Sequence, residues 1–411
     1  MAEPIKYNYT AQNTVGDQVK GVVRATTEAK AYTAVKSKGL MPLTVKRADS
    51  GMNMELSIPG IKRGPKLKNM SVWAKQFGTL IRAGMPLIKA LYVSTENTED
   101  KALQTALREV YADVDKGSSL AAAMAQHPQT FQPLIVNLVR VGEAGGFLEK
   151  TLTAVANNLN SEVEIRGRVK SALVYPIVVG IIAVLAVVVM LIFVVPIFVD
   201  MFEGMGSELP LPTQVLVSLS ENMIWIVPLA VVAIAALSFV YKKNKSKESV
   251  RKVVDRVKLK MPVFGGLNKK VATARFSRNL SMMVSAGVPL MNALELVGST
   301  ANNWVVEQAI EHARESMKKG TSLAAPLEEH EEVFPSMVTS MIAVGEDSGA
   351  LDQMLDSIAD FYEDEVKLTT DSLSSAMEPV MIVFLGGIIG GMVVSLYMPM
   401  FSIFGEISES G

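Results

Sequence analysis

The chain has 411 residues, of which 49% are hydrophobic, a formal net charge of −1 and no cysteine. This length is enough for two or three domains, and so apolar a composition predicts membrane segments. The near-zero net charge argues against a general nucleic-acid binder, and the lack of cysteine excludes disulfides, zinc–thiolate sites, iron–sulfur clusters and thiol catalysis.

Residues 1–48 predict a small α/β module. The N-terminal Met1-Ala2-Glu3-Pro4 is polar and lacks the apolar core of a secretory signal, so we expect it to stay in the cytoplasm. The predicted elements are two strands at 6–10 and 19–23, a helix at 27–38 and a last strand at 42–45. Residues 49–70, rich in Gly, Pro, Asn and Met, have the composition of a linker.

Most of the remaining chain is one unit present twice. Residues 71–202 align with residues 274–405 at a constant offset of 203, without a gap. Two motifs show the duplication best: Ala-Gly-Met-Pro-Leu at 83–87 returns as Ala-Gly-Val-Pro-Leu at 286–290, and Val-Gly-Glu at 141–143 returns at 344–346. A repeated unit that carries its own apolar segment predicts two structurally equivalent halves.

The polar part of each unit has a helical pattern. Leu148, Leu152, Val155, Leu159 and Val163 are spaced by four, three, four and four residues, which places them on one helix face. Glycine and proline breaks divide each unit into about six short helices of ordinary length. We expect the last of these helices to continue into the membrane.

Three segments are free of charge for long enough to cross a bilayer as helices, which takes about 20 residues. Lys and Arg cluster before the first segment and after the second, and none occurs between them or after Lys367, which predicts a cytoplasmic N-terminus and an external C-terminus. The predicted order is therefore a first cytoplasmic bundle at 71–170, a span at 171–199, an external loop at 200–221, a span at 222–241, a second cytoplasmic bundle at 242–378, a span at 379–405 and an external tail at 406–411.

Four glutamates are candidate contacts for a cytoplasmic partner. Glu143 and Glu346 occupy equivalent places between two helices, where they would bind a cation, meet a partner's basic group, or cap a helix end. Glu363 and Glu365 belong to an acidic run next to the third span, which is typical of a solvated face but also suits a metal or a basic partner. The sequence leaves metal binding open.

The third span contains Gly386, Gly387, Gly390 and Gly391, two overlapping Gly-x-x-x-Gly faces. Such faces let another helix approach closely. That helix would come from this chain, from a second copy or from a substrate.

No phosphate-binding loop, His-Glu-x-x-His motif or other catalytic constellation occurs, so the sequence predicts neither an enzyme nor a cofactor. An alternative is a membrane transporter built from parallel repeats. Three spans without a central charge are few for a pore.

The duplicated Ala-Gly-Met/Val-Pro-Leu, the duplicated Val-Gly-Glu-x-x-Gly-x-Leu and the run Arg168 to Pro176 resemble the type II secretion F family. The resemblance covers essentially the whole chain and departs from an exact repeat where Tyr175-Pro176 becomes Glu378-Pro379. It implies a non-enzymatic inner-membrane platform of a type IV pilus or type II secretion machine. The implied partners are a hexameric assembly ATPase, pilin or pseudopilin subunits, other inner-membrane assembly proteins and the lipid bilayer, with self-association and no nucleic acid.

Overall fold

A computed structural model describes residues 5–12, 18–37, 39–47, 64–203, 210–245, 247–262 and 264–409. The chain divides into a small N-terminal unit and a large helical unit that begins at Arg63. Each is described by itself.

The N-terminal unit is the predicted α/β module. Its elements are β1 (Ile5–Gln12), β2 (Gln18–Ala25), α1 (Glu28–Lys36) and β3 (Met41–Arg47), and the antiparallel sheet has the order β2-β1-β3. Tyr7, Tyr9 and Ala11 alternate along β1 and are buried against Ala31 and Val35 of the helix. The predicted turn at Gly16-Asp17 lies outside the described residues.

The large unit contains the repeat as two sets of six helices. The first set, bundle one, is α2 (Leu67–Arg82), α3 (Leu87–Glu96), α4 (Lys101–Asp115), α5 (Leu120–Ala125), α6 (Pro133–Gly145) and α7 (Leu148–Val189). After α7 come a π-helical turn (Met190–Val194), α8 (Val195–Glu203), α9 (Leu211–Asn244) and α10 (Glu248–Lys260). The second set, bundle two, is α11 (Phe264–Ser285), α12 (Leu290–Thr300), α13 (Trp304–Lys318), α14 (Ala324–Glu328), α15 (Ser336–Ser348) and α16 (Leu351–Glu409).

The two bundles have matching cores. In bundle one Trp73 stacks on Phe77 with ring centroids 5.4 Å apart and lies 5.7 Å from Phe131. Phe276 and Phe334, the residues 203 positions after Trp73 and Phe131, meet edge to face at 4.9 Å in bundle two. Buried aromatic pairs of this kind add to the apolar burial that holds each bundle together.

Among the described residues, three helices are long and apolar enough to cross a membrane: Leu148–Met201, Leu211–Asn244 and Leu351–Pro399. The expectation that the last helix of each bundle runs on into the membrane is confirmed, because α7 has 42 residues and α16 has 59 without a break. The duplicated, mainly helical architecture with three apolar spans and a small α/β module is thus the one expected from the sequence.

Two predicted segments are more helical than their sequences indicate. Of the loop expected at 200–221, the stretch up to Glu203 belongs to α8 and the stretch from Leu211 to α9. Of the linker expected at 49–70, the last residues from Leu67 belong to α2. Polar side chains ended the apolar runs in both places, but helical backbone hydrogen bonds do not depend on side-chain polarity.

Candidate functional site

The duplicated Val-Gly-Glu motif caps a helix in each bundle. The Glu143 carboxylate at the end of α6 accepts hydrogen bonds from the backbone N–H groups of Leu120 (2.7 Å) and Ala121 (3.1 Å) at the start of α5. Glu346 accepts the equivalent pair at the start of α14, at 2.6 and 3.0 Å. The first N–H groups of a helix have no partner within it, so these carboxylates satisfy them. A cytoplasmic partner would have to compete with these bonds.

The glycines of the same motif serve packing and helix termination. A Cβ added at Gly142 would lie 2.1 Å from Oγ1 of Thr151, a buried residue on α7. Gly146 and its counterpart Gly349 end their helices at φ +74° and +69°, in the left-handed region that glycine adopts without strain. The most recognisable motif of the chain therefore has a structural explanation.

Glu363 lies where the two bundles meet. Its Oε1 accepts hydrogen bonds from Arg278 Nε in bundle two (2.9 Å) and from Ser161 Oγ in bundle one (2.7 Å). Arg278 also pairs with Asp360 and Asp356, which precede Glu363 on α16 by one and two turns. Burial opposes the charge of Arg278, but the hydrogen bonds and charges of Glu363 and Asp360 outweigh it and raise the pKa of the guanidinium.

Glu365 is also engaged within bundle two. Its Oε2 lies 2.7 Å from Nζ of Lys270, which is 2.8 Å from the hydroxyl of Thr369. Within the described residues, no cluster of three or more His, Asp or Glu side chains is placed to hold a metal ion. The acidic run on α16 is thus a set of internal ion pairs on one side and exposed carboxylates on the other.

A polar joint connects the bundles beside Glu363. Arg275 of α11 donates two hydrogen bonds to Glu162 of α7, at 2.8 and 2.7 Å, and Asn158 donates to Asn279 at 2.7 Å. Both members of the ion pair are largely buried, with side-chain exposures of 23% and 18%. Sequence reasoning missed this joint. The available signal was the break in the repeat, because position 275 is arginine where the equivalent position, Val72, is apolar.

Hydroxyl groups of α9 connect it to both repeat spans. Ser220 donates to the carbonyl of Leu191 in the π-helical turn, and Thr213 donates to the carbonyl of Ser395 in α16. The three helices also share a small apolar core formed by Leu191, Val195, Met223 and Leu396. Interhelical hydrogen bonds of this kind help to hold membrane helices together where no water competes.

The four glycines of the third span face open space. A Cβ built at Gly386, Gly387, Gly390 or Gly391 would meet no heavy atom within 4 Å, so the close helix contact that they favour is not made within the described part of this chain. The equivalent positions of the first span carry a small or β-branched side chain instead: Ala183, Val184, Val187 and Val188. The glycine face is therefore a feature of the second copy alone.

These features define a three-span membrane protein with two helical bundles from one duplicated unit. The model of the type II secretion system protein F matches residues 73–196 and 276–399, the two copies, and the model of the protein F N-terminal domain matches residues 1–46. The chain belongs to the type II secretion system protein F family.

Relatives cover the whole chain. The type IV pilus assembly protein PilC of Thermus thermophilus is 39% identical over 98% of this chain and 99% of its own length. PilC of Myxococcus xanthus is also 39% identical, over 98% of this chain and 96% of its own. The type II secretion system protein F of Aeromonas hydrophila is 31% identical over 89% and 94%. The chain is thus a multi-pass membrane protein of the pilus and secretion platform class.

Proposed function

We propose that the protein is the inner-membrane platform of a type IV pilus machine, coupling a hexameric cytoplasmic ATPase to the insertion or removal of pilin subunits. The assignment to pili over secretion is supported by the similarity to the two pilus assembly proteins, at 39%, against 31% for the secretion protein. The observation that carries the coupling is α16, which is one unbroken helix from the core of bundle two to the end of the third span.

A continuous helix is a direct mechanical link. Leu355 and Ile358 are buried in bundle two, while Met392 and Leu396 of the same helix are buried among the membrane helices. An ATPase that tilts or rotates the bundle would move the membrane end of α16 with it. The Lys and Arg distribution supports the same scheme, because it favours a cytoplasmic side for the N-terminus and both bundles and an external C-terminal tail.

The glycine face of α16 is the proposed site for the pilin. An apolar pilin helix would approach the backbone closely at Gly387 and Gly391, where no atom of the described residues occupies the space. The contacts would depend on shape and be easily broken, as suits a subunit that must both enter and leave.

The test is the double substitution Gly387→Leu and Gly391→Leu in the full-length protein. Fibre assembly should be lost, while membrane insertion, measured by fractionation and protease resistance, should be unchanged. The matched control is Val184→Leu in the first span, an exposed position equivalent to Gly387, which should assemble fibres normally. Normal fibres in the glycine double variant would refute the proposed pilin site. An equal loss of fibres in the control would show that the effect is not specific to the glycine face.

A further inference from the structure

Bundle one and bundle two pack in part through different faces of the same fold. In bundle one α6 and α7 make the contact, and in bundle two α11, α12 and α16 make it. The packing of α7 on α16 joins equivalent helices, whereas the contacts of α7 with α11 and of α6 with α12 join non-equivalent ones. Leu134 of α6 and Ile165 of α7 line the narrow crevice between the bundles together with Arg275 and Asn279, and are only 3% and 5% exposed. A contact between two different faces is heterologous, so it leaves one partner face open at each end.

The open end of bundle two is the α15–α16 face, the repeat equivalent of α6–α7. Met337 and Leu368 stand 203 residues after Leu134 and Ile165, and they are 39% and 59% exposed. Val344 and Phe361, on the same two helices, are also exposed. The positions that bundle two covers in bundle one thus remain apolar in bundle two, where the described part of the chain leaves them exposed. Large apolar side chains exposed together on one pair of helices mark a protein contact.

The open end of bundle one is the α2–α3 face, the repeat equivalent of α11–α12. Val72 and Ile88 are exposed there, at 48% and 41%. Lys75 is exposed on the same helix as Val72, and Asp364 is exposed on α16 between Phe361 and Leu368. The two open faces are therefore both apolar, with charges of opposite sign at their rims.

The residues that differ between the two copies at the open faces also complement each other. Glu162 of bundle one pairs with Arg166 on its own helix and with Arg275 across the joint, whereas the equivalent Glu365 pairs with Lys270 of its own bundle at 2.7 Å. The surface that would face Glu365 carries Val72 in place of an arginine, so no cation is left without a partner. Phe361 likewise replaces Asn158, which hydrogen-bonds to Asn279 inside the chain.

Lipid does not account for the patch on α16. Phe361 precedes Pro379, where the third span begins, by 18 residues, which is about 27 Å of helix. The charged headgroup region extends only about 5–8 Å beyond the hydrocarbon on each side. Phe361 is therefore too far from the third span for the bilayer to cover it.

We propose that the α15–α16 face of bundle two binds the α2–α3 face of bundle one in a second copy of this chain, repeating the contact between the bundles within one chain. Successive chains join head to tail through this surface. The inference specifies the surface for the self-association that the family resemblance implies, and it does not depend on where the pilin binds.

The chain has no cysteine, so pairs of cysteines can be introduced without background. Gln76 and Phe361 are equivalent to Asn279 and Asn158, whose side chains touch at 2.7 Å. Two differently tagged full-length proteins, one with Gln76→Cys and one with Phe361→Cys, are co-expressed in membranes and oxidised. The expected result is a cross-linked species that carries both tags. The control pair, Gln76→Cys with Glu331→Cys, uses an exposed position outside the α15–α16 face and should give no such species.

Every other outcome contradicts the proposal. Failure to cross-link, with both cysteines open to a maleimide, means that the faces are uncovered. Failure to cross-link, with Cys at 361 protected, means that another protein, such as the ATPase, covers the face. Cross-linking of Phe361→Cys to itself means that two identical faces meet. In a second variant, Leu368→Asp, the self-association of the full-length protein in detergent, measured by light scattering, should be lost. Fibre assembly is measured separately, so that loss of the pilin site is not mistaken for loss of this contact.

Discussion

The two copies of the repeat share one scaffold and differ in what they present. Both use a glutamate to cap the fourth of their six helices and a left-handed glycine to end the fifth. They differ at the joint, where only copy two has Arg275, and in the membrane, where only copy two has the glycine face. The comparison teaches that the shared motifs maintain the fold, and that the residues proposed for function are those where the copies diverge.

The largest effect should come from the joint. Replacing Arg275 by Met removes both charge-assisted hydrogen bonds across the joint and leaves Glu162 paired with Arg166. The loss should cost about 3 kcal/mol, the upper end for hydrogen bonds to a charged group. The measurement is the unfolding midpoint of the purified full-length protein in detergent, followed by circular dichroism.

The matched change is Val72→Met, at the equivalent but exposed position of copy one. It should shift stability by no more than about 0.5 kcal/mol. A double variant that also changes Glu162 to Gln should lose less than the sum of the single changes, because the two residues interact directly. Equal effects at positions 72 and 275 would contradict the assigned joint.

The next largest effect on stability should distinguish the equivalent glycines of the duplicated motif, Gly142 and Gly345. In Gly142→Ala the new methyl meets the side chain of Thr151 at 2.1 Å and should cost about 1–3 kcal/mol of overpacking. In Gly345→Ala the nearest atoms, in Leu351 and Met354, lie at 3.0 and 3.1 Å, so the cost should be about 1 kcal/mol or less.

Thr151→Ala in the Gly142→Ala background should recover part of the loss, because it removes the two nearest atoms. The same unfolding measurement serves for all three proteins. A larger loss of stability in Gly345→Ala than in Gly142→Ala, or no recovery with Thr151→Ala, would contradict the described packing of α6 on α7 and of α15 on α16.

The smallest effect concerns helix caps and pH. Asp100 caps α4 through bonds to the N–H groups of Ala102 and Leu103, and its repeat equivalent Asn303 caps α13 with an amide. Partial burial disfavours the Asp100 carboxylate, but the hydrogen bond from Asn69 and those from backbone N–H groups outweigh it and lower its pKa below 3.8. Its contribution to stability is therefore present above the unfolded pKa and lost as pH falls through the folded one.

Asp100→Ala and Asn303→Ala should each cost about 1 kcal/mol at neutral pH. Asp100→Asn should keep the cap on α4, because the amide oxygen also accepts hydrogen bonds. It should remove the contribution of Asp100 to the loss of stability between neutral pH and about pH 3, where carboxylates of ordinary pKa are protonated. The comparison of unfolding midpoints at the two pH values checks this. An unchanged pH dependence in Asp100→Asn would show that the carboxylate is not titrating as described.

The elements were predictable where the sequence carried a period or a repeat. The duplication, the apolar spans and the helical spacing of Leu148 to Val163 were sufficient for the architecture, and the alternation in β1 was sufficient for the small module. Helix ends next to polar residues were not, because a polar side chain such as Ser220 is typical of the end of an apolar span. Its hydrogen bond to the carbonyl of Leu191 is visible only in the folded arrangement.

The site residues were predictable only in part. The position of Glu143 between two helices suggested both a cap and a partner contact, and only the three-dimensional arrangement brings Leu120 within 2.7 Å of it. The joint of Arg275 with Glu162 joins residues 113 apart in sequence, and no local pattern carries that information. The glycine face was visible in the sequence, but its open surroundings were not.

The central claim is that the third span, and not its copy in the first, handles the pilin helix. A photoreactive amino acid at position 387 of the full-length protein, compared with one at the equivalent exposed position 184, tests it during fibre assembly in intact cells. The account predicts a pilin adduct at position 387 and none at 184. Adducts of equal yield at both positions, or an adduct at 184 alone, would contradict it.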